Sequence, residues 1–238
     1  MSLSQTQSPE IHHAHRDVAG GWLRPATFGV MDGLLSNVSL VAGVVGGGAT
    51  GNSVALTGLA GLVAGACSMA SGEYVSVSSQ TELAQAEIAV EQRELEHNPE
   101  GELAELTAIY EAKGLQPALA AQVARELSAD PEVAWRVHTR EELGIDPDDL
   151  PSPWTAATSS FVAFAIGAFI PLLPFLLGAS SITITLILSA LALLLTGAVV
   201  ARLTARPWWA GGTRQLLLGG LSAAVTYGVG LVVGTGLS

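Results

Sequence analysis

Long apolar stretches and one long polar stretch divide this chain. Five apolar runs, at about 25–46, 53–77, 154–177, 181–202 and 213–235, are each long enough to cross roughly 30 Å of hydrocarbon as a helix. The first two are joined by GGGATGNS and the third and fourth by GASS, turns without a charge. Between the second and third runs, residues 80–150 change character: polar and apolar positions alternate with helical spacing, and acids dominate. The pattern predicts an all-α integral membrane protein with five transmembrane helices. It divides into an N-terminal tail (1–24), a first pair of spans (25–79), an acidic helical insert (80–150) and three further spans (151–238).

Within the insert, residues 80–97 are good helix formers without Gly or Pro, so the second span is predicted to run out of the membrane as one long helix. Asn98-Pro99 ends it. A second helix is expected over about 100–113, stopped by Gly114. A third starts at Pro117, and a fourth has Asp130 as cap and Pro131 as first residue, running to Leu143. In the third span, Pro171 and Pro174 predict a bend or local unwinding, which membranes tolerate where neighbours satisfy the freed carbonyls. Gly58, Gly61, Gly65, Ser68 and Gly72 form a small-residue face on the second span, suited to close helix packing.

Charge then orients the chain. The insert holds 17 of the 21 Asp and Glu residues against five Lys and Arg, a net charge of −12, and the rest of the chain sums to +1. All ten Lys and Arg fall in the tail, the insert or the loop ARLTARPWWAGGTR, on one side of the predicted membrane. The positive-inside bias makes that side cytosolic and the C-terminus external. Trp22, Trp154, Trp208 and Trp209 fall at span ends, where indole rings favour the interface. A pI near 4.7 without a basic stripe excludes nucleic acid as a partner. A single cysteine, Cys67, excludes a disulfide framework and a cysteine zinc site. No removable signal peptide is expected. The Ala/Gly-rich composition points to a bacterial plasma membrane.

Two acids lie within the spans, Asp32 and Glu73. A carboxylate in hydrocarbon costs roughly 3 kcal/mol or more, so each should face a cavity or a partner. Asp32 falls about six residues, roughly 9 Å, beyond the cytosolic start of the first span. Glu73 is close to the cytosolic end of the second, with Met69 one turn deeper on the same face. The three can therefore share a depth in adjacent antiparallel helices, with Ser36, Asn37 and Ser39 adding neutral oxygens. A thioether beside carboxylates suits a borderline ion such as ferrous iron better than calcium or magnesium. Taken alone, Met69 fits core packing better than a ligand role, whereas for Asp32 and Glu73 a helix-end carboxylate reaching water is the lesser alternative.

In the insert, Glu87, Glu91 and Glu94 share a face, as do Glu102 and Glu105, and the fourth helix carries His138, Glu141 and Glu142. Repeated E-x-x-E accepts like-charge repulsion that a bound cation would relieve; a solvated acidic face fits the same spacing. Glu94-x-x-His97 matches a ferritin-like spacing, but one such motif is too few for a di-iron enzyme. The histidines of HHAH (His12, His13, His15) suit a polar tail better than a site. No G-x-x-x-x-G-K-[ST] loop is present, so nucleotide hydrolysis is not expected, and the chain reads as a non-enzyme with no permanently bound cofactor.

Taken in order, these pieces resemble the vacuolar iron transporter family, which includes nodulin-21-like proteins, and the chain looks like a bacterial-type member. MDGLLSNVSLVAGV is similar to that family's D-G-L-x-[ST]-N-[FV]-[ST]-L segment, and ACSMASGEYVSVSSQTE to its S-M-[AS]-x-G-E-[YW]-[LV]-S-V signature. The similarity runs through nearly the whole chain after Asp17. It implies a homodimer of five-helix protomers exchanging ferrous iron, and sometimes manganese, for protons. It implies that Asp32 and Met69 line the path between protomers, and that Glu91, Glu94, Glu102, Glu105 and Glu142 bind metal in the cytosol. One departure stands out. Plant-type members carry a Met-Met pair before the last glutamate, where this chain has His138 and Thr139. Imidazole is a good ligand for iron, manganese or zinc, whereas the threonine hydroxyl is a poor replacement.

The reading is therefore a proton-coupled antiporter moving ferrous iron out of the cytosol, with manganese, zinc or cobalt left open. Its expected path is Asp32, Asn37, Met69 and Glu73, and its expected metal ligands are Glu91, Glu94, Glu102, Glu105, Glu142 and His138. The alternative is a membrane-anchored metal buffer or sensor that binds without transporting.

Overall fold

The computed structural model describes residues 21–179 and 181–237, all in helices and short connections. The tail histidines His12, His13 and His15 lie outside the described residues. Among the described residues, five helical segments are long and apolar enough to cross a membrane: α1 (Leu23–Gly46), α2 (Gly51–His97), a broken third segment, α8 (Ile182–Leu203) and α9 (Trp208–Leu237). α2 is continuous over 47 residues, so span and insert share one rigid rod. α9 begins at Trp208, earlier than the run at 213–235 predicts, because the Pro207 carbonyl accepts from the Ala210 amide at 3.0 Å and the two tryptophans form the first turn.

The insert folds as expected into α3 (Pro99–Ala112), α4 (Pro117–Leu127) and α5 (Pro131–Glu141). Asn98 caps α3 by accepting from the Gly101 amide at 3.3 Å, and Asp130 caps α5 by accepting from the Glu132 amide at 2.9 Å. Gly114, at φ +98°, turns the chain after α3. α5 stops two residues short of Leu143, leaving Glu142 as its C-terminal cap residue. A cluster of exposed ion pairs, Arg136–Asp148 at 2.7 Å and Arg140 with Asp146 and Asp148 at 2.8 and 3.0 Å, folds the following loop back on α5. The Thr81 hydroxyl donates to the Pro151 carbonyl at 3.0 Å, pinning the start of the third span to α2.

The third segment breaks where its prolines predict. α6 (Pro153–Phe169) tightens into a 3-10 turn at Ile170–Leu172 and resumes as α7 (Leu173–Leu176). The Asn37 amide donates to the Ala168 carbonyl beside this break at 2.5 Å, supplying a partner from α1. α1 sits at the centre of the bundle, packed on α6, α9 and α2. Glycine makes that contact possible: a Cβ at Gly33 would fall 2.2 Å from the Phe164 carbonyl oxygen. On α2, the small-residue face divides. Gly58, Gly61 and Gly65 receive Leu172, Leu40 and Phe164, whereas Ser68 is exposed and Gly72 faces open space.

Trp22, Trp154, Trp208 and Trp209 are all exposed at the insert end of the bundle, and Trp154 packs edge-on against Tyr74, ring centroids 4.9 Å apart. This ring of indoles marks one interfacial level.

Candidate metal centre

Three insert helices converge on a small acidic chamber. α2 contributes Glu91, α3 Glu102, and α5 His138 with Glu142 just beyond its end. One ligand atom from each of these four residues lies within 4.8 Å of all the others. Ions held at about 2.0–2.2 Å by nitrogen and oxygen need only a small contraction of such a set. The His138 ring is fully buried, its Nδ1 3.1 Å from Glu91 Oε1 and 3.4 Å from Glu102 Oε2.

The chamber is electrostatically unsatisfied as it stands. Glu91 Oε1, Glu102 Oε2 and both ring nitrogens of His138 are buried without a hydrogen-bond partner. Buried polar atoms are normally paired, and leaving one unpaired costs about 1–3 kcal/mol. Burial, reinforced by Glu142 and Glu102, pushes the Glu91 carboxyl up to about 8. Burial also raises Glu102, with Glu105 and Glu142 adding to it, and raises Glu142, with Glu105 adding to it. Burial lowers His138, which favours a neutral imidazole with a free lone pair. Once its carboxyls give up their protons, this set of three carboxylates and a neutral imidazole is one that a divalent transition ion fits.

Of the sequence-predicted ligands, Glu91, Glu102, Glu142 and His138 meet. Glu94 and Glu105 remain exposed outside the four-residue group, though Glu105 is close enough to act on Glu102, His138 and Glu142. Thr139 is buried and its hydroxyl donates to the Trp135 carbonyl at 2.7 Å, a backbone contact within its own helix. His97 is exposed, its Nδ1 2.7 Å from the Arg93 carbonyl, and it lies outside the four-residue group.

The membrane residues are arranged differently. Asp32 is partly buried and accepts from the Ser36 hydroxyl at 3.0 Å. α1 starts at Leu23, so Asp32 is nine residues, about 14 Å, from the start of the helix. Met69 packs against Phe164, Ala66 and Ala168. The Phe164 main chain also approaches Gly33 of α1. Glu73 is half-buried and precedes Tyr74, the residue whose ring packs on Trp154. Asn37 is buried, with its amide nitrogen committed to Ala168 and its Oδ1 unpartnered. Sequence patterning did not single out the buried hydroxyls of Ser160, Thr185 and Ser189, nor Gln215, whose Nε2 lies 2.8 Å from the Met31 sulfur. Isolated hydroxyls in apolar helices carry no positional signal.

Comparison with known proteins agrees with this architecture. The profile of the VIT family matches residues 23–231. A vacuolar iron transporter of Acanthamoeba castellanii is 37% identical over 228 residues, covering 92% of this chain and 82% of its own. Vacuolar iron transporter 1 of Oryza sativa subsp. japonica is 30% identical over 98% of this chain and 95% of its own. Vacuolar iron transporter 1 of Arabidopsis thaliana is 34% identical over 70% of this chain and 67% of its own. With its insert, its first four spans and most of the fifth inside the matched region, the chain belongs to the VIT family.

Proposed function

We propose that this protein is a divalent transition-metal transporter, with ferrous iron as the best-fitting cargo, that carries the ion out of the cytosol in exchange for protons. The observation that carries the reading is the chamber of buried Glu91, Glu102 and His138, their inner polar atoms unpartnered and exposed Glu142 at its edge, with Glu91 on the same continuous helix as the membrane residue Met69. In this reading the N-terminus and insert are cytosolic, and two protomers pair so that Asp32, Asn37, Met69 and Glu73 line the path.

Protons and metal compete for the same carboxylates, since only the ionised form binds the ion. The insert gathers ions, Asp32 receives them in the membrane, and protonation from the far side releases them. The chamber is not contiguous with that path: Glu91 lies 18 residues beyond Glu73, about 27 Å by helical rise. The insert therefore concentrates ions near the entrance rather than passing them hand to hand.

That separation also favours the second reading, a membrane-anchored buffer or sensor. Ferrous-ion flux into proteoliposomes under an imposed pH gradient decides between them. Gradient-dependent flux that vanishes in Asp32→Ala, with metal binding by the insert retained, supports transport. Metal binding without flux in either protein leaves the buffer or sensor.

A further inference from the structure

The last 88 residues contain no Asp, Glu or Lys, and their only charges are Arg202, Arg206 and Arg214. All three cluster where α8 ends and α9 begins, at the indole-marked end of the bundle. A charge-orienting role requires basic residues at this level but does not require a cavity, and here there is one. Arg206, Arg214, Thr204, Ala201, Ala210 and Gly211 contribute to the wall of a pocket of about 610 Å³.

The local backbone builds it. α8 and α9 touch main chain to main chain at Gly197 and Gly211, where an added Cβ would fall 2.4 Å from the opposing carbonyl oxygen. Beyond that contact the chain must reverse. Ala205 does so at φ +54°, and the Arg206 amide donates back to the Ala201 carbonyl at 2.8 Å. The turn leaves Arg206 and Arg214 lining one opening. Both side chains are exposed, and among the described residues neither is ion-paired to a carboxylate. The Thr204 hydroxyl is committed to the carbonyls of Val200 and Ala201 at 3.1 Å, so the pocket's free donors are the arginines.

We propose that this pocket binds the phosphate of an anionic phospholipid. Two guanidinium forks suit a phosphodiester geometrically, and the counter-charge absent from this part of the chain is abundant on anionic bilayer surfaces. The adjacent Trp208 and Trp209, 58% and 59% exposed, place the pocket at head-group level, which favours a lipid over a freely diffusing phosphate. The site does not depend on which ion the protein carries.

Native mass spectrometry of the full chain released from mixed phosphatidylglycerol and phosphatidylcholine micelles tests it. Preferential retention of phosphatidylglycerol is expected, falling by about fivefold per arginine in Arg206→Gln and Arg214→Gln. Arg125→Gln, an exposed change in the insert, should leave retention unaltered, and Arg206→Lys with Arg214→Lys should keep part of it. Equal retention of both lipids by the native chain overturns the proposal, whatever the variants do. So does a preference that survives both glutamine changes. A third arm adds millimolar inorganic phosphate to phosphatidylcholine micelles: thermal stabilisation matching that from phosphatidylglycerol would assign the pocket to a soluble anion instead.

Discussion

His138 Nδ1 lies 3.1 Å from Glu91 Oε1, joining α5 to the long helix that emerges from the membrane. No sequence spacing links these residues, which are 47 positions apart. The contact places a neutral nitrogen donor in what is otherwise an all-carboxylate chamber. Its surroundings make several expectations concrete.

Removing the imidazole should weaken metal binding more than removing a rim carboxylate. His138→Ala takes away the nitrogen ligand and is expected to lower cobalt or zinc affinity by at least the roughly 10–100-fold that loss of a mere outer-sphere partner costs. Glu94→Ala, at an exposed position outside the four-residue group, should cost much less. Calorimetric titration of the purified chain in detergent measures both. Equal losses would place the ion elsewhere in the insert.

The chamber should make the metal-free protein less stable as pH rises. Glu91 is raised from 4.5 to about 8, so between those values the folded state holds a proton that the unfolded chain releases. Stability is then greatest at the acid end of that window and falls as pH climbs through it. Thermal unfolding in the presence of chelator, from pH 5 to 8.5, should show a declining midpoint. With metal added the trend should reverse, because the ion binds the deprotonated carboxylates.

Packing between α1 and α6 rests on glycine. Gly33→Ala would put a methyl group 2.2 Å from the Phe164 carbonyl oxygen and 2.9 Å from the Ala168 nitrogen, both main-chain atoms that cannot swing aside. A loss of about 1–3 kcal/mol is expected. Gly220→Ala, on α9 with nothing within 4 Å, should be neutral or slightly stabilising. Thermal melts of the two variants in one detergent give the comparison.

Asn37 bridges α1 to the broken third span. Asn37→Leu leaves the Ala168 carbonyl without its side-chain donor in a water-poor setting, a cost of about 1–3 kcal/mol. The same variant probes the proposed path: stability loss with normal flux per folded protein would make Asn37 a purely structural residue, and flux loss beyond the stability effect would place its free Oδ1 on the ion's route.

Much of this architecture is carried by local chemistry. Apolar runs of membrane length, Asn98-Pro99, Gly114, Asp130-Pro131 and the Pro171/Pro174 pair each act within a few residues, so span number, helix boundaries and the broken segment are legible in the chain alone. The site was legible only as a pool of candidates. Glu91 and Glu94 share a helix face by spacing, as do Glu102 and Glu105, and nothing local separates them. The docking of α3 and α5 against α2 makes the difference, burying Glu91 and Glu102 while leaving Glu94 and Glu105 in solvent. Similarly, sequence identifies His138 as an unusual donor, but only the α5–α2 packing strips it of water and aims it at two carboxylates. Helical periodicity determines which residues share a face; which face meets another helix, and so which charges are desolvated, is a property of the packed bundle.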